Sequence, residues 1–281
     1  MMEFEMLASG YGLLEAPRVD DRDRFYFSDI PNGGVYRRNP GGSVETLIPK
    51  RKGVGGMTFN TSGGLVLTGR GLIHWDEKTG KSRDLFVAWE GKPVSMNDLT
   101  TDDHGSVYTG TLNFDPLSNN KPIPGSLFRI DPPGRAVKLC DGIEVSNGLG
   151  LSPDRKHLYH SDSTTGAVWV YDVTHERGVK DRRIFAKMPS GWPDGLAVDA
   201  QGGVWVAAVR VGEVVHFSKD GTVKKRIKLP AAMVTSLVFG GRDMLDLYVV
   251  TADNTDDPSR KGTIFRTRAD VPGLPVPKAN F

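Results

Sequence analysis

Asn147-Gly148-Leu149-Gly150-Leu151-Ser152-Pro153-Asp154, followed by Leu158-Tyr159, is a sentence this chain repeats. A polar or small residue leads, turn residues follow, and a short apolar strand stands roughly ten residues after the leader. The same phrase runs from Glu15 to Phe25-Tyr26-Phe27, from Gly56 to Leu65-Val66-Leu67 and from Asn97 to Val107-Tyr108. It runs again from Asp194 to Val204-Trp205-Val206 and from Ser236 to Leu247-Tyr248-Val249. The strands recur at intervals of about 40–50 residues, the period of a β-propeller blade.

A second phrase follows each first one: Gly34-Val35-Tyr36-Arg37, Gly71-Leu72-Ile73-His74-Trp75, Ser126-Leu127-Phe128-Arg129, Ala167-Val168-Trp169-Val170-Tyr171, Glu213-Val214-Val215-His216-Phe217 and Thr263-Ile264-Phe265-Arg266. Turn signals such as Ser62-Gly63-Gly64 and Gln201-Gly202-Gly203 separate short strands, and no stretch carries the apolar spacing of a helix. Six two-phrase units predict an all-β fold, a six-bladed β-propeller with four-stranded blades. Residues 1–281 read as one propeller domain, with 270–281 as an extended C-terminal tail too rich in proline for a ladder strand. A ring must close, and pairing of Glu3–Leu7 with Ile264–Thr267 would remove its open edge. The third unit is irregular: Thr111-Leu112-Asn113-Phe114-Asp115-Pro116-Leu117-Ser118-Asn119-Asn120-Lys121-Pro122 separates its two phrases, as an overhanging functional loop or a tolerated insertion.

Composition removes several function classes. The net charge of +2 is spread along the chain, so neither nucleic acid nor an anionic membrane is expected as a partner. The basic runs Lys50-Arg51-Lys52 and Lys224-Lys225-Arg226 read as solvated edges or turns, and Asp102-Asp103 and Asp256-Asp257 as solvated loops. No apolar run is long enough to span a bilayer, and the acidic start Met1-Met2-Glu3-Phe4-Glu5-Met6 does not read as a signal peptide. The single cysteine, Cys140, lies in an apolar strand and reads as a small buried hydrophobe; a cytoplasmic location is expected. The expected assembly is a monomer or a weak homo-oligomer.

The phrase leaders carry the chemistry. In a propeller the innermost strand of each blade lines the channel, so Glu15, Asn97, Asn147 and Asp194 would meet at one mouth. Two carboxylates and two carboxamides at close range repel unless a cation sits among them. Oxygen donors without histidine or thiolate favour calcium, magnesium or manganese over zinc. Alone, Asn-Gly and Asp-Gly are ordinary turn dipeptides; the shared register is what points to a site. The six histidines have no close metal spacing, His157 and His160 would face opposite sides of a strand, and neither a Gly-x-Ser-x-Gly elbow nor a phosphate-binding glycine loop occurs.

On these residues the chain resembles the senescence marker protein/gluconolactonase/luciferin-regenerating-enzyme-like family. Leu14-Glu15-Ala16-Pro17-Arg18 with Phe25–Ile30, Met96-Asn97-Asp98 with Asp103–Thr111, Asn147–Asp154 with Leu158–Ser163, and Pro193–Asp199 with Gly203–Ala207 match its phrases in order and spacing. The resemblance implies a six-bladed propeller with one divalent cation at its centre, calcium first, with magnesium, manganese or zinc as alternatives. The implied ligands are Glu15, Asn147 and Asp194, with Asn97 as a fourth ligand or a substrate contact, and Asp194 as general base or nucleophile. Many members hydrolyse sugar lactones, and some act on phosphoesters or fluorophosphates. The expectation is a metal-dependent lactonase with a small-molecule lactone substrate. A phosphotriesterase-like hydrolase on the same ion and a non-catalytic ligand-binding propeller with a structural ion are the alternatives.

Two departures bear on the substrate. Sugar-lactone members often place an arginine two residues before the asparagine of the second motif, where this chain has Ser95; the glycine expected after Asn97-Asp98 is Leu99. Met96, Leu99 and Trp192 would then form an apolar wall for a substrate less polar than gluconolactone, with Ser95, Met96, Asn97 and Trp192 as its contacts. Core packing is the competing reading for Met96 and Leu99.

Overall fold

The computed structural model describes residues 3–114, 121–252 and 261–281. Among them no helix occurs, and six antiparallel four-stranded blades stand in a ring. Blade one runs from the innermost strand outward as Leu14–Val19, Phe25–Asp29, Val35–Arg38 and Val44–Ile48. The innermost strands of blades two to six are Met57–Phe59, Ser95–Thr101, Ser146–Leu151, Trp192–Val198 and Val234–Gly240. The apolar strands of the first phrase are the second strand of each blade, and the second phrase supplies the third. Blade three also carries an extra two-residue strand, Gly69–Arg70, which comes from blade two and pairs with the inner edge of Ser95–Thr101.

Each blade is packed on both faces by its neighbours, so its strands are apolar throughout rather than alternating. Val204–Ala208 is buried at every position. One of its faces joins Val168, Val170 and Leu196, and the other places Trp205 and Ala207 against Leu237, Phe239 and Val249 of blade six. Full burial of side chains of this size stabilises by roughly 1.5–3 kcal/mol each. Met96 and Leu99 lie in the cluster between blades two and three, with Val66, Leu72 and Phe128.

The ring closes with a strand from the amino-terminal side. Glu5–Tyr11 forms the outer strand of blade six, with Glu5 opposite Arg266, Met6 opposite Phe265 and Tyr11 opposite Gly262. The expected partner was Glu3–Leu7; the observed strand extends further, to Tyr11, through two register shifts. The tail is a strap, as its prolines require. It makes isolated bridges at Asp199–Gly273 and Asn60–Ala279 and crosses from blades five and six to blades two and three. With Leu274–Pro277 it roofs a channel cavity of about 140 Å³ lined by Arg18, Thr100, Leu149, Leu196 and Leu237.

Two local readings change, for Asp102 and Cys140. Asp102 is buried rather than solvated, because its carboxylate accepts from the His104 and Ser106 amides and pairs with Arg177. Asp103 is exposed and pairs with Arg155. Cys140 is half-buried, on the outermost strand of blade three, where one face meets solvent. Asp256-Asp257 and residues 115–120 of the third-unit loop lie outside the described residues.

Candidate functional site

A β-bulge recurs at the head of the innermost strands. The ladder slips between Glu15 and Arg18, Met96 and Leu99, Ser146 and Leu149, and Pro193 and Leu196. A bulge adds a residue on one strand and re-aims the side chains beside it. Asn97, Asn147 and Asp194 lie within the slip, whereas Glu15 is the last paired residue before it, opposite Ser28, and Ala16, inside the slip of blade one, takes a left-handed φ of 55°. The phrase leaders therefore stand in or next to these bulges.

Polar staples hold these strands to one another. Thr235 Oγ1 donates to the Leu14 carbonyl at 2.6 Å, and Ser28 Oγ to the Val54 carbonyl at 2.6 Å. Asn97 Nδ2 donates to the Ser146 carbonyl at 2.9 Å and to Asn147 Oδ1 at 2.6 Å. Asn147 Nδ2 donates to Ser163 Oγ at 2.7 Å, and Ser163 Oγ donates to the Pro193 carbonyl at 2.7 Å. This chain links blades three, four and five through the two carboxamides. Both Nδ2 hydrogens of Asn97 are engaged, so its free capacity is at Oδ1. Asn147 Oδ1 accepts one hydrogen bond and keeps its second lone pair. His160 supports the same strand: its Nε2 stands 2.8 Å from Ser146 Oγ, and burial pushes its pKa down to about 3, so it is neutral.

The floor of the site is acidic. Glu15 and Asp194 are 8% and 9% exposed. Burial pushes the Glu15 carboxyl well above the usual carboxylate range, and repulsion from Asp194 and Asp98 adds to it. Burial raises Asp194 likewise, with Asp98 again contributing. Asp98 is pushed up to about 6 by burial, opposed by the Arg18 guanidinium and by the Leu99 amide that donates to its Oδ1 at 2.7 Å. These mutual effects put the three carboxylates of blades one, three and five within one electrostatic neighbourhood.

The donor set fits a hard divalent cation. Among the described residues no ion pair is made to Glu15 or Asp194, which leaves two buried carboxylates without a counter-charge. Three carboxylates against Arg18 leave a surplus of two negative charges, which one divalent cation cancels. The same residues hold no cluster of three His, Cys, Asp or Glu side chains spaced for a metal. The donors on hand are carboxylate and carboxamide oxygens, which suit hard cations.

The remaining expected contacts divide by exposure. Ser95 is exposed at the mouth, and Trp192 is 43% exposed, two residues before Asp194, with the Arg210 guanidinium 4.2 Å from its ring centre. Met96 is 1% exposed, so its burial supports the packing reading weighed for it and for Leu99. Asp98 and Arg18 are the charged residues that the repeat did not single out, although they stand beside Asn97 and in the Glu15 phrase.

The fold is thus a six-bladed propeller whose innermost strands bring Asn97 and Asn147 into hydrogen-bond contact and bury Glu15 and Asp194. The family model for the SMP-30/Gluconolactonase/LRE-like region matches residues 13–253, and the chain belongs to that family. It is 32% identical over 265 residues to 6-deoxy-6-sulfogluconolactonase of Pseudomonas putida, covering 90% of this chain and 89% of the relative. It is 30% identical over 269 residues to pentonolactonase XacC of Haloferax volcanii, covering 91% and 90%. A solved structure of luciferin-regenerating enzyme superposes with a TM-score of 0.90 at 24% identity over the full length of both chains, which is a likeness of fold.

Proposed function

We propose that this chain is a divalent-cation-dependent hydrolase that opens lactone rings. The observation that carries the reading is the pair of buried carboxylates, Glu15 and Asp194, left without a counter-charge beside two carboxamides. An interior without ligand chemistry is filled at less cost by apolar side chains. The two named relatives act, by their names, on sugar lactones, and they align with this chain over nearly its whole length. That shared length supports the same substrate class here.

Glu15, Asn147 and Asp194 would hold the cation, with calcium the first choice and Asn97 Oδ1 as a fourth ligand or as acceptor for a substrate hydroxyl. When bound, the ion supplies Lewis-acid polarisation of the lactone carbonyl and acidifies water. Asp194 takes the proton of the attacking water as general base. Water oxygen bonds to the carbonyl carbon, the ring C–O bond breaks, and the departing alkoxide takes up a proton to give the hydroxy acid. Asn97, pinned by Ser146 and Asn147, orients what lies above the floor.

The test is a lactone panel assayed by acid release, run beside an organophosphate panel, with and without chelator. Lactone turnover lost on chelation and restored by calcium is expected. Asp194→Asn should lower kcat by about 10²–10⁴-fold with the circular dichroism spectrum and Tm retained, since it removes a general base and a buried charge together. Unchanged turnover in that variant removes the proposed role of Asp194. Turnover confined to the organophosphates replaces the reaction class.

A further inference from the structure

Position 95 is a serine, and the residue paired with it across the strand edge is an arginine from blade two. Gly69-Arg70-Gly71 leaves blade two and lies along the inner edge of Ser95–Thr101, with Arg70 directly opposite Ser95 and Gly69 opposite Met96. Directly opposed residues of an antiparallel pair point to the same face, and residues two apart on one strand share a face. Arg70 and Ser95 are thus on one side and Met96 is on the other, in the core; Asn97 follows in the bulge and reaches blade four through its hydrogen bonds to Ser146 and Asn147.

The bracket is rigid. Gly71 N–H donates to the Val94 carbonyl at 2.9 Å and Thr68 N–H to the Gly56 carbonyl at 3.0 Å. Gly69 takes a φ of +113°, and a Cβ there would come within 2.9 Å of the Gly53 carbonyl, so the segment is clamped between blade two and blade three. Arg70 itself is exposed and has no hydrogen bond, ion pair or ring contact among the described residues. Beside it Arg51 is half-buried, and its guanidinium makes one long hydrogen bond, 3.4 Å to the Thr68 carbonyl. Lys52 is exposed next to it. Asp84, on the outermost strand of blade two, is the acid that acts on Arg51. Arg70 is therefore the cation this strand edge presents without a partner among the described residues.

We infer that Arg70 is a specificity-determining residue that binds an anionic group, such as a carboxylate, phosphate or sulfonate, at the far end of the lactone from the reacting carbonyl. Arg70 pairs at Ser95, about 7 Å along the strand from Asn97, on the order of the length of a six-carbon sugar acid. A guanidinium presents paired donors to such oxoanions. The substrate class rests on the lactonase reading; the anion contact does not, because the ring-opened acid carries the same end group.

The probes are gluconate and 6-phosphogluconate for calorimetric binding, and their δ-lactones for turnover, all with calcium present at fixed ionic strength. The expected result is at least about tenfold tighter binding of 6-phosphogluconate than of gluconate, abolished in Arg70→Ala and partly kept in Arg70→Lys. KM for the phosphorylated lactone should rise in Arg70→Ala, while kcat and the turnover of gluconolactone stay unchanged. Equal affinities in the wild type, or an equal loss on both compounds in Arg70→Ala, overturn the proposal. Selective binding with neither lactone opened would sink the lactonase reading and leave this one standing. Both lactones opened equally well would do the reverse.

Discussion

Gly148 and Gly195 follow the two site residues Asn147 and Asp194, and neither position has room for a side chain. A Cβ on Gly148 would stand 2.3 Å from the Leu196 amide nitrogen, and one on Gly195 would stand 2.1 Å from Ser236 Oγ. The innermost strands of blades four, five and six therefore touch backbone to backbone, and the site residues inherit their positions from that contact. Gly148→Ala should cost about 1–3 kcal/mol, because the obstructing atoms belong to the main chain. Gly41→Ala, with open space around it and no left-handed φ, is the matched control and should stay within about 0.5 kcal/mol. Urea denaturation midpoints of the two variants check this; equal midpoints would mean that the inner ring relaxes freely. The Asn-Gly and Asp-Gly pairs could be read from sequence, but as turns. Their shared register located Asn147 and Asp194, whereas the close approach that requires the glycines depends on blades distant in the chain. Asp98 was hidden for a related reason: the repeat singles out its neighbour Asn97, and only folding buries Asp98 where its charge acts on Glu15 and Asp194.

At the level of elements, closure of the ring rests on Glu5–Tyr11, the one strand of blade six that comes from the other end of the sequence. Its ladder partner, Gly262–Arg268, is buried at most positions, so removing residues 3–11 would expose an apolar sheet edge. Such an edge templates pairing with a second chain. The shortened protein should elute as oligomers or aggregate at concentrations where the full chain does not, measured by size-exclusion chromatography with light scattering. Unaltered elution with unaltered Tm would show that the strand is dispensable. The latch was legible because the last unit lacks a fourth strand and a ring has no use for a free edge. Gly69–Arg70 was not legible: two residues have no period, and their pairing with Ser95-Met96 crosses from one blade to the next. The reading of a less polar substrate came from treating Met96, Leu99 and Trp192 as wall residues, and the same crossing pairs an arginine with Ser95.

Across the whole molecule, the acidic floor ties stability to pH and to the cation. Asp98 rises from 3.8 to about 6 on folding, and Glu15 and Asp194 are also raised. In that range the native state binds more protons than the unfolded chain, so stability falls as pH rises. The contribution is complete below the ordinary carboxylate range and is lost as pH climbs through about 6. Carboxylates with depressed values act in the opposite sense, but Asp131, lowered to about 2, has its full effect well below this window. Buried His160, lowered from 6.5 to about 3, acts in the opposite sense below about 6.5, but it does so alike with and without calcium. Between about pH 5 and pH 7 the chelated protein should therefore lose Tm with rising pH relative to the calcium-loaded protein. A cation among Glu15, Asn147 and Asp194 favours the ionised carboxylates, so its binding strengthens over the same interval and the loss should vanish in excess calcium. Groups remote from the cation contribute equally to both samples, so the difference between the two calorimetric series isolates the floor. Asp98→Asn should flatten the chelated series in part without removing the calcium effect, because it takes away one of the three raised groups and none of the proposed ligands. Parallel series with and without calcium would mean that no cation binds among these carboxylates, and the hydrolytic reading would lose its foundation.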